Sequence, residues 1–260
     1  MSFLINPYRY VSAGYPAGQG SASDATNTNA TANSATAIDG VGSLDFNGTS
    51  AYVNLSQNLS DSLDTSSIQS GMSSAWTASM WVYVESLVTG AQNSYLTRFV
   101  DGEHELNLRQ ADSPSIFQLI GIGITGSQIP IDVDHTGWTN VIMSVTGIET
   151  ATITTTMYID VDTSNSGDLT STPVWSTSQS LYCGAGQNGT ARFMSGQIQE
   201  VCFWNKELSS ANRTALFNGY AYGSATDEDN TGLLASEVEK DNIVAYYTFD
   251  GGSVINTAIP

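Results

Sequence analysis

The strongest constraint on the fold is an alternation of apolar and polar side chains with a period of two. It is clearest in residues 153–162, where every second residue is Ile, Thr, Met, Ile or Val. Residues 76–84, 139–145 and 243–249 repeat the pattern. Because successive side chains of a β-strand point to opposite faces, the pattern predicts half-buried strands. The Asn47-Gly48 turn signal predicts a hairpin.

One segment, residues 208–218, is typical of a helix. Ser209 or Ser210 can cap its first turn, and Asn218-Gly219 supplies a left-handed stop. One helix among many strands, without βαβ alternation, predicts an all-β fold. We expect a sandwich of two antiparallel sheets packed face to face.

The charge balance limits the classes of partner. The chain has 25 acidic and 7 basic residues, and its net charge is -18. The basic residues are scattered singly, so we expect no nucleic-acid partner and no attachment to anionic membranes. The longest apolar stretches are far shorter than the roughly 20 residues of a membrane span. The acidity fits solubility, cation binding or life in high salt, and it does not choose among them.

The N-terminal region divides into an apolar peptide and a polar tether. Residues 17–37 are drawn only from Ala, Gly, Ser, Thr, Asn, Gln and Asp, which is too little apolar content to order the segment. We therefore predict an arm and linker over residues 1–37 and a globular domain over residues 38–260. The peptide docks either on the chain's own body or on another subunit, and the long tether favours another subunit. The predicted assembly residues are Phe3, Leu4, Ile5, Pro7, Tyr8 and Tyr10.

Four segments, in order, resemble the concanavalin A-like lectin/glucanase superfamily in its laminin-G-like jelly-roll branch. They are residues 44–55 (LDFNGTSAYVNL), 76–82 (WTASMWV), 137–145 with 157–160, and 196–209 with 244–250. The resemblance covers roughly residues 40 to 252 and implies a jelly-roll sandwich. The opening Ser-Phe-Leu-Ile-Asn-Pro-Tyr separately resembles the start of marine tailed-phage structural proteins that bear such domains.

The residues needed for catalysis are missing from the matching segments. Glucanases of this superfamily carry two carboxylates on one strand, as Glu-x-Asp-x-x-Glu or a close variant. The matching segment here, Gln197-Ile-Gln-Glu200, offers one carboxylate. Neither of the two histidines lies near a Gly-x-Ser-x-Gly elbow. We therefore predict that the protein is not an enzyme.

A structural calcium ion is the one cofactor that the sequence leaves open. Calcium prefers several carboxylate and carbonyl oxygens, and Asp160 with Asp162 is the preferred pair. The resemblance argues against it, because Gln199 stands where the family usually has an aspartate and its usual Asp-Gly turn is replaced at residues 160–163. We expect no other cofactor.

Glycan binding would use exposed aromatic side chains beside amide and hydroxyl groups. Trp81 and Tyr83 point away from the inferred core face, and Trp175 lies in a Ser/Thr-rich stretch. Alternatively, loops or a neighbouring subunit cover these three side chains. Trp76, Trp138 and Trp204 are interpreted as core residues.

Two cysteines, Cys183 and Cys202, are too few for a disulfide framework. We expect both thiols to be free, although a bond between them stays open. The first residues lack a basic leader followed by an apolar stretch, so export by the usual signal is not expected.

Two functional hypotheses follow. The first is a non-enzymatic protein of a virion surface, either a phage head decoration protein or a fibre component. Its N-terminal arm would bind other virion proteins or further copies of the chain. The second is a carbohydrate-binding lectin module, with or without calcium, that acts outside the cell on host or surface glycans.

Overall fold

The computed structural model describes residues 25–33, 42–55, 75–84, 93–100, 103–110, 116–120, 129–132, 137–147, 153–161, 163–169, 181–220 and 238–250. The predicted assembly residues of the arm, Trp175 and Asp162 lie outside these ranges. Their predicted roles therefore stay predictions.

Fifteen strands and one α-helix make up the described part of the chain. The helix is α1 (Ser210–Tyr220). The strands are β1 (Thr26–Thr28), β2 (Thr31–Asn33), β3 (Ser43–Asn47), β4 (Tyr52–Asn54), β5 (Ala75–Val84), β6 (Asn93–Val100), β7 (Glu103–Gln110), β8 (Ile116–Ile120), β9 (Ile129–Asp132), β10 (Trp138–Thr146), β11 (Ile153–Ile159), β12 (Thr163–Leu169), β13 (Leu181–Cys183), β14 (Ser195–Trp204) and β15 (Ile243–Tyr247).

The strands form two antiparallel sheets. The seven-stranded sheet has the order β1-β4-β13-β6-β7-β8-β9. The eight-stranded sheet has the order β12-β11-β10-β5-β14-β3-β2, and β15 pairs with β14. This arrangement confirms the predicted all-β jelly-roll sandwich. None of the helices in the described ranges is long and apolar enough to cross a membrane.

The predicted alternation sets which side chains enter the core between the sheets. On β5, Trp76, Ala78, Met80 and Val82 are buried in that core. Met157 and Ile159 of β11 are buried in it too. The predicted strand 153–162 is too long, however. The chain turns at Asp160 and Val161, whose φ angles of 48° and 61° are left-handed and reverse its direction into β12.

The prediction that residues 17–37 cannot order themselves is wrong for residues 25–33. β1 pairs with β4 in one sheet, and β2 pairs with β3 in the other. The Asn27 side chain holds the crossing between them: its Oδ1 accepts from the Ala30 backbone N–H at 3.1 Å, and its Nδ2 donates to the Ala30 carbonyl at 3.0 Å. Backbone pairing orders this segment into the sandwich, together with burial of Ala25 in the core and packing of Ala30 against it.

The helix begins close to its predicted position. Ser209 Oγ accepts a hydrogen bond from the Asn212 backbone N–H at 3.2 Å, so Ser209 caps the first turn. The helix runs through the predicted stop at Asn218-Gly219 and ends at Tyr220. It packs on the outer face of the eight-stranded sheet, where Leu208 and Leu216 join a second apolar cluster.

Candidate functional site

The outer faces of the two sheets differ in chemistry. The outer face of the eight-stranded sheet buries an apolar cluster that α1 covers: Trp81, Ile142, Cys202, Trp204, Leu208, Leu216, Val238, Ile243 and Tyr246. The register places mainly polar side chains on the outer face of the seven-stranded sheet. Such a face needs no hydrophobic cover. It is accessible on β1, β4 and β13, where Thr26 is exposed and Asn54 and Tyr182 are half-buried, and this accessible part is a candidate surface for a polar ligand.

Five side chains form a row straight across the seven-stranded sheet, which we call the polar row. Each lies directly opposite the next on five neighbouring strands: Thr26, Asn54, Tyr182, Thr97 and Asn107. Directly opposite residues share a face, and adjacent strands lie about 4.8 Å apart. The sequence neighbours Val53, Leu96 and Leu108 point into the core, which fixes the row on the outer face.

Asn107 is the most informative member of the polar row. Its side chain is fully buried, and its Oδ1 accepts from Ser94 Oγ and from Thr97 Oγ1, each at 3.2 Å. No residue that the structure describes accepts a hydrogen bond from its Nδ2. Rotating the amide by 180° would pair the nitrogen with the hydroxyls and leave the oxygen bare. One buried polar atom of Asn107 therefore lacks a partner among the described residues in either orientation, which costs about 1–3 kcal/mol and points to a buried water.

Two arginines lie at one end of this face. Arg109 is two residues along β7 from Asn107, so it faces the same side, and it is 8% exposed. A Cβ on Gly186 would lie 3.0 Å from Ser94 Oγ and 3.2 Å from Arg192 Cβ and Cδ. The loop that carries Arg192 therefore packs against Ser94, which lies opposite Arg109. Two of the seven basic residues of this acidic chain therefore lie near this end of the face.

Two tyrosines border the other part of the polar row. Tyr52 and Tyr182 are half-buried, and their ring centroids lie 5.7 Å apart in an edge-on arrangement. A Cβ on Gly189 would meet the Tyr52 ring at 3.0 Å, so the same loop supports that ring. The sequence predicted aromatic rings beside amide and hydroxyl groups at Trp81 and Tyr83. It did not predict the pair of Tyr52 and Tyr182, because these two tyrosines lie on strands that are distant in sequence.

The prediction of Trp81 as an exposed aromatic platform is wrong. Trp81 is 1% exposed and stacks on Phe217 of α1 with a centroid distance of 5.7 Å and an interplanar angle of 19°. The strand pattern correctly placed Trp81 on the outer face, but α1 covers that part of it. Tyr83 is half-buried beside Trp138, with centroids 5.7 Å apart. Trp138 is thus only partly buried, unlike the predicted core residues Trp76 and Trp204.

Asp160 lies in the turn between β11 and β12. Its Oδ1 accepts a hydrogen bond from the Asn140 backbone N–H at 2.8 Å, so the carboxylate holds the turn against β10. Within the described ranges, no group of three or more His, Cys, Asp and Glu residues is arranged to hold a metal ion. A calcium ion on Asp160 and Asp162 stays a prediction.

Glu200, the single carboxylate of the segment compared with glucanases, is 3% exposed. It occupies a bulge of β14 with a left-handed φ of 57°, and its Oε2 accepts a hydrogen bond from the Tyr246 hydroxyl. Neighbouring Gln199 Nε2 donates to Asp250 Oδ1 at 3.3 Å. These contacts give Glu200 a structural role in joining β14 to β15.

Both cysteines are free and buried, which confirms the prediction of free thiols. Burial raises the pKa of Cys183 far above its ordinary value. Burial and then the charge of Glu200 raise the pKa of Cys202, against a smaller lowering by the Phe203 backbone. Neither thiol is therefore activated as a nucleophile at neutral pH.

The family model described as the concanavalin A-like lectin/glucanases superfamily matches residues 47–212, well over half of the chain. The chain belongs to this superfamily. The match confirms the resemblance carried by the four sequence segments. The superfamily includes both lectins and glucanases, so membership alone does not decide between binding and hydrolysis. No curated protein sequence matches the chain.

Solved structures of the same fold come from larger proteins. A Trypanosoma rangeli sialidase in complex with 2,3-difluorosialic acid is 16% identical with a TM-score of 0.55, over 76% of this chain and 30% of that chain. The binding domain of botulinum neurotoxin DC in complex with rat synaptotagmin II is 11% identical with a TM-score of 0.56, over 77% of this chain and 47% of that chain.

A structure of botulinum neurotoxin type C, whose cell entry depends upon interaction with two ganglioside molecules, is 11% identical with a TM-score of 0.55, over 77% of this chain and 47% of that chain. The chain thus spans about a third to a half of the length of these structures. At such identities the likeness shows the fold alone. The resemblance of the first residues to tailed-phage proteins stays a prediction.

Proposed function

We propose that the domain is a non-enzymatic carbohydrate-binding module and that its glycan site is the polar row with Tyr52 and Tyr182. The observation that carries the proposal is the pair of half-buried rings, Tyr52 and Tyr182, whose centroids lie 5.7 Å apart beside the partly exposed Asn54. Accessible aromatic surface next to a polar side chain is a surface on which a sugar ring can pack.

The chemistry of the face suits a sugar. Sugar hydroxyls both donate and accept hydrogen bonds, as do the accessible hydroxyl of Thr26 and amide of Asn54. The apolar faces of pyranose rings pack on aromatic rings, which Tyr52 and Tyr182 supply at half-buried positions. A few polar groups beside aromatic surface is the usual composition of a small-ligand site.

The same face argues for binding rather than hydrolysis. Retaining glycosidases place two carboxylates about 5 Å apart across the scissile bond. The five members of the polar row include no carboxylate. The superfamily's lectin branch and the ganglioside interaction of botulinum neurotoxin type C also favour a binding role.

A glycan array with purified protein, with and without calcium, tests the proposal. We expect Tyr182→Ala and Tyr52→Ala to weaken binding at least about fivefold, since removal of a central contact costs more than about 1 kcal/mol. Tyr158→Ala is the matched control, because Tyr158 is a half-buried tyrosine on the outer face of the other sheet. The proposal is refuted if the wild-type protein binds no glycan on the array. It is also refuted if Tyr158→Ala weakens binding as much as the site variants do.

We propose further that the module is displayed on a virion surface, as a head decoration or fibre component. This rests on the five large apolar or aromatic side chains within residues 2–10, which are followed by the polar residues 17–24 that precede β1. Deleting residues 2–15 should leave a folded monomer that no longer assembles with its partners or with itself. Unchanged assembly after the deletion would contradict the anchoring role without bearing on glycan binding.

A further inference from the structure

A second row of side chains crosses the outer face of the eight-stranded sheet, and we call it the aromatic row. Its members lie directly opposite one another on five neighbouring strands: Trp138, Tyr83, Gln197, Asp45 and Thr31. Five strands span four gaps of about 4.8 Å, so the row is about 19 Å long. The inward neighbours Leu44, Val82 and Ile198 confirm that the row faces outward.

The aromatic row extends beyond the apolar cluster under α1. Trp138 is the one member that packs at the edge of that cluster, and it is only partly buried. Tyr83 and Asp45 are half-buried, and Thr31 is exposed. Only Gln197 is fully buried, and its Oε1 accepts from Ser43 Oγ at 2.7 Å. The row is therefore accessible on both sides of Gln197, at Tyr83 with Trp138 and at Asp45 with Thr31, and its covered centre is fixed by a hydrogen bond.

The chemistry of the row defines its ligand. Trp138 and Tyr83 form a tilted pair with centroids 5.7 Å apart and an interplanar angle of 55°, which offers aromatic surface next to polar groups. Asp45 adds an acceptor, and its carboxylate enters no ion pair within the described ranges. A carboxylate accepts hydrogen bonds from hydroxyl groups but repels anionic ligands. The net charge of -18 also repels anionic ligands.

We propose that the aromatic row is a second, separate saccharide site that takes a neutral oligosaccharide lying across the strands. The proposal rests on the proposed function for its class of ligand, but its residues are distinct from the polar row. The two rows lie on the outer faces of opposite sheets, so they point in opposite directions. One chain would then hold two glycans at once and gain avidity on a glycan-coated surface.

Neutral oligosaccharide binding, measured by calorimetry on the full chain, tests the second site. The background is Tyr182→Ala with Tyr52→Ala, which removes both half-buried rings of the first site. In this background we expect residual binding of neutral oligosaccharides, and we expect Tyr83→Ala to weaken it about tenfold. Asp45→Lys should raise binding of carboxylated oligosaccharides at least about fivefold relative to neutral ones. Because Asp45 is half-exposed, that variant keeps the test independent of folding.

The outcomes separate the two proposals. If wild-type protein binds glycans but the polar-row variant has no residual binding, the second site is refuted and the proposed function stands. If residual binding persists and neither Tyr83→Ala nor Asp45→Lys changes it, the aromatic row is not the second site and the proposal is refuted. If wild-type protein binds no glycan, both proposals fail.

Discussion

Replacing Trp81 by alanine tests whether α1 covers the outer face of the eight-stranded sheet. The indole is 1% exposed and stacks on Phe217 at 5.7 Å. Truncating a buried aromatic side chain to alanine costs about 3–5 kcal/mol. In a chain of this length each kcal/mol shifts Tm by about 2–4 °C, so we expect Tm to fall by roughly 6–20 °C.

A double-mutant cycle isolates the contact with the helix. Trp81→Ala, Phe217→Ala and the double variant are unfolded in urea and followed by far-UV circular dichroism, which does not depend on the lost indole. The coupling free energy should be about 0.5–1.5 kcal/mol, the usual contribution of a stacked aromatic pair. Trp138→Ala is the control, and its cost should be smaller because Trp138 is only partly buried.

The opposite result would restore the prediction made from the sequence. If Trp81→Ala changes the free energy of unfolding by less than about 1 kcal/mol, the indole is not buried as a core residue. If the same variant also loses glycan binding, Trp81 is an exposed platform and α1 does not cover it in solution.

Three further predictions concern stability and reactivity. Gly196→Ala should cost about 3 kcal/mol or more, because its φ is +140° and a Cβ would lie 2.0 Å from the Tyr83 carbonyl oxygen. Gly48→Ala, with a φ of +72° and a nearest contact of 3.2 Å, should cost only about 1–2 kcal/mol, and equal urea midpoints for the two variants would contradict this. The two buried cysteines should react with a thiol reagent only on unfolding, and stoichiometric labelling of the native protein would disprove their burial. Glu239 binds Lys206 at 2.9 Å, and this contact lowers the pKa of its carboxyl. Glu239→Gln should therefore cost at most about 1 kcal/mol at neutral pH. The ion pair stabilises the fold above the unfolded-state pKa and is lost as pH falls through the lowered pKa, so the two stability curves should converge in acid.

The sequence predicted the sandwich because a period of two is a local property of the chain. Alternation on β5 was enough to assign Trp76 and Met80 to the core and Trp81 to the opposite face. The same locality explains the capped start of α1, since Ser209 accepts from a backbone N–H only three residues away. The predicted end of the helix was less accurate, because the helix continues for two residues beyond Asn218, to Tyr220.

Low apolar content led to a wrong prediction for residues 25–33. Composition measures how much surface a segment can bury, but β1 and β2 are held by backbone hydrogen bonds to β4 and β3. Those bonds need only an unpaired strand edge, which any sequence without proline can join. Edge pairing therefore leaves almost no compositional signal.

The sequence by itself determined the fold class, the face on which each strand residue lies and the scarcity of catalytic groups. Tertiary structure alone decided which outward-facing side chains stay accessible. Trp81 and Tyr83 follow the same alternation, yet α1 covers one and leaves the other half-buried. The polar row joins Thr26, Asn54, Tyr182, Thr97 and Asn107 because non-consecutive strands pair in the seven-stranded sheet. Such pairing depends on packing of the whole chain, and no local pattern encodes it.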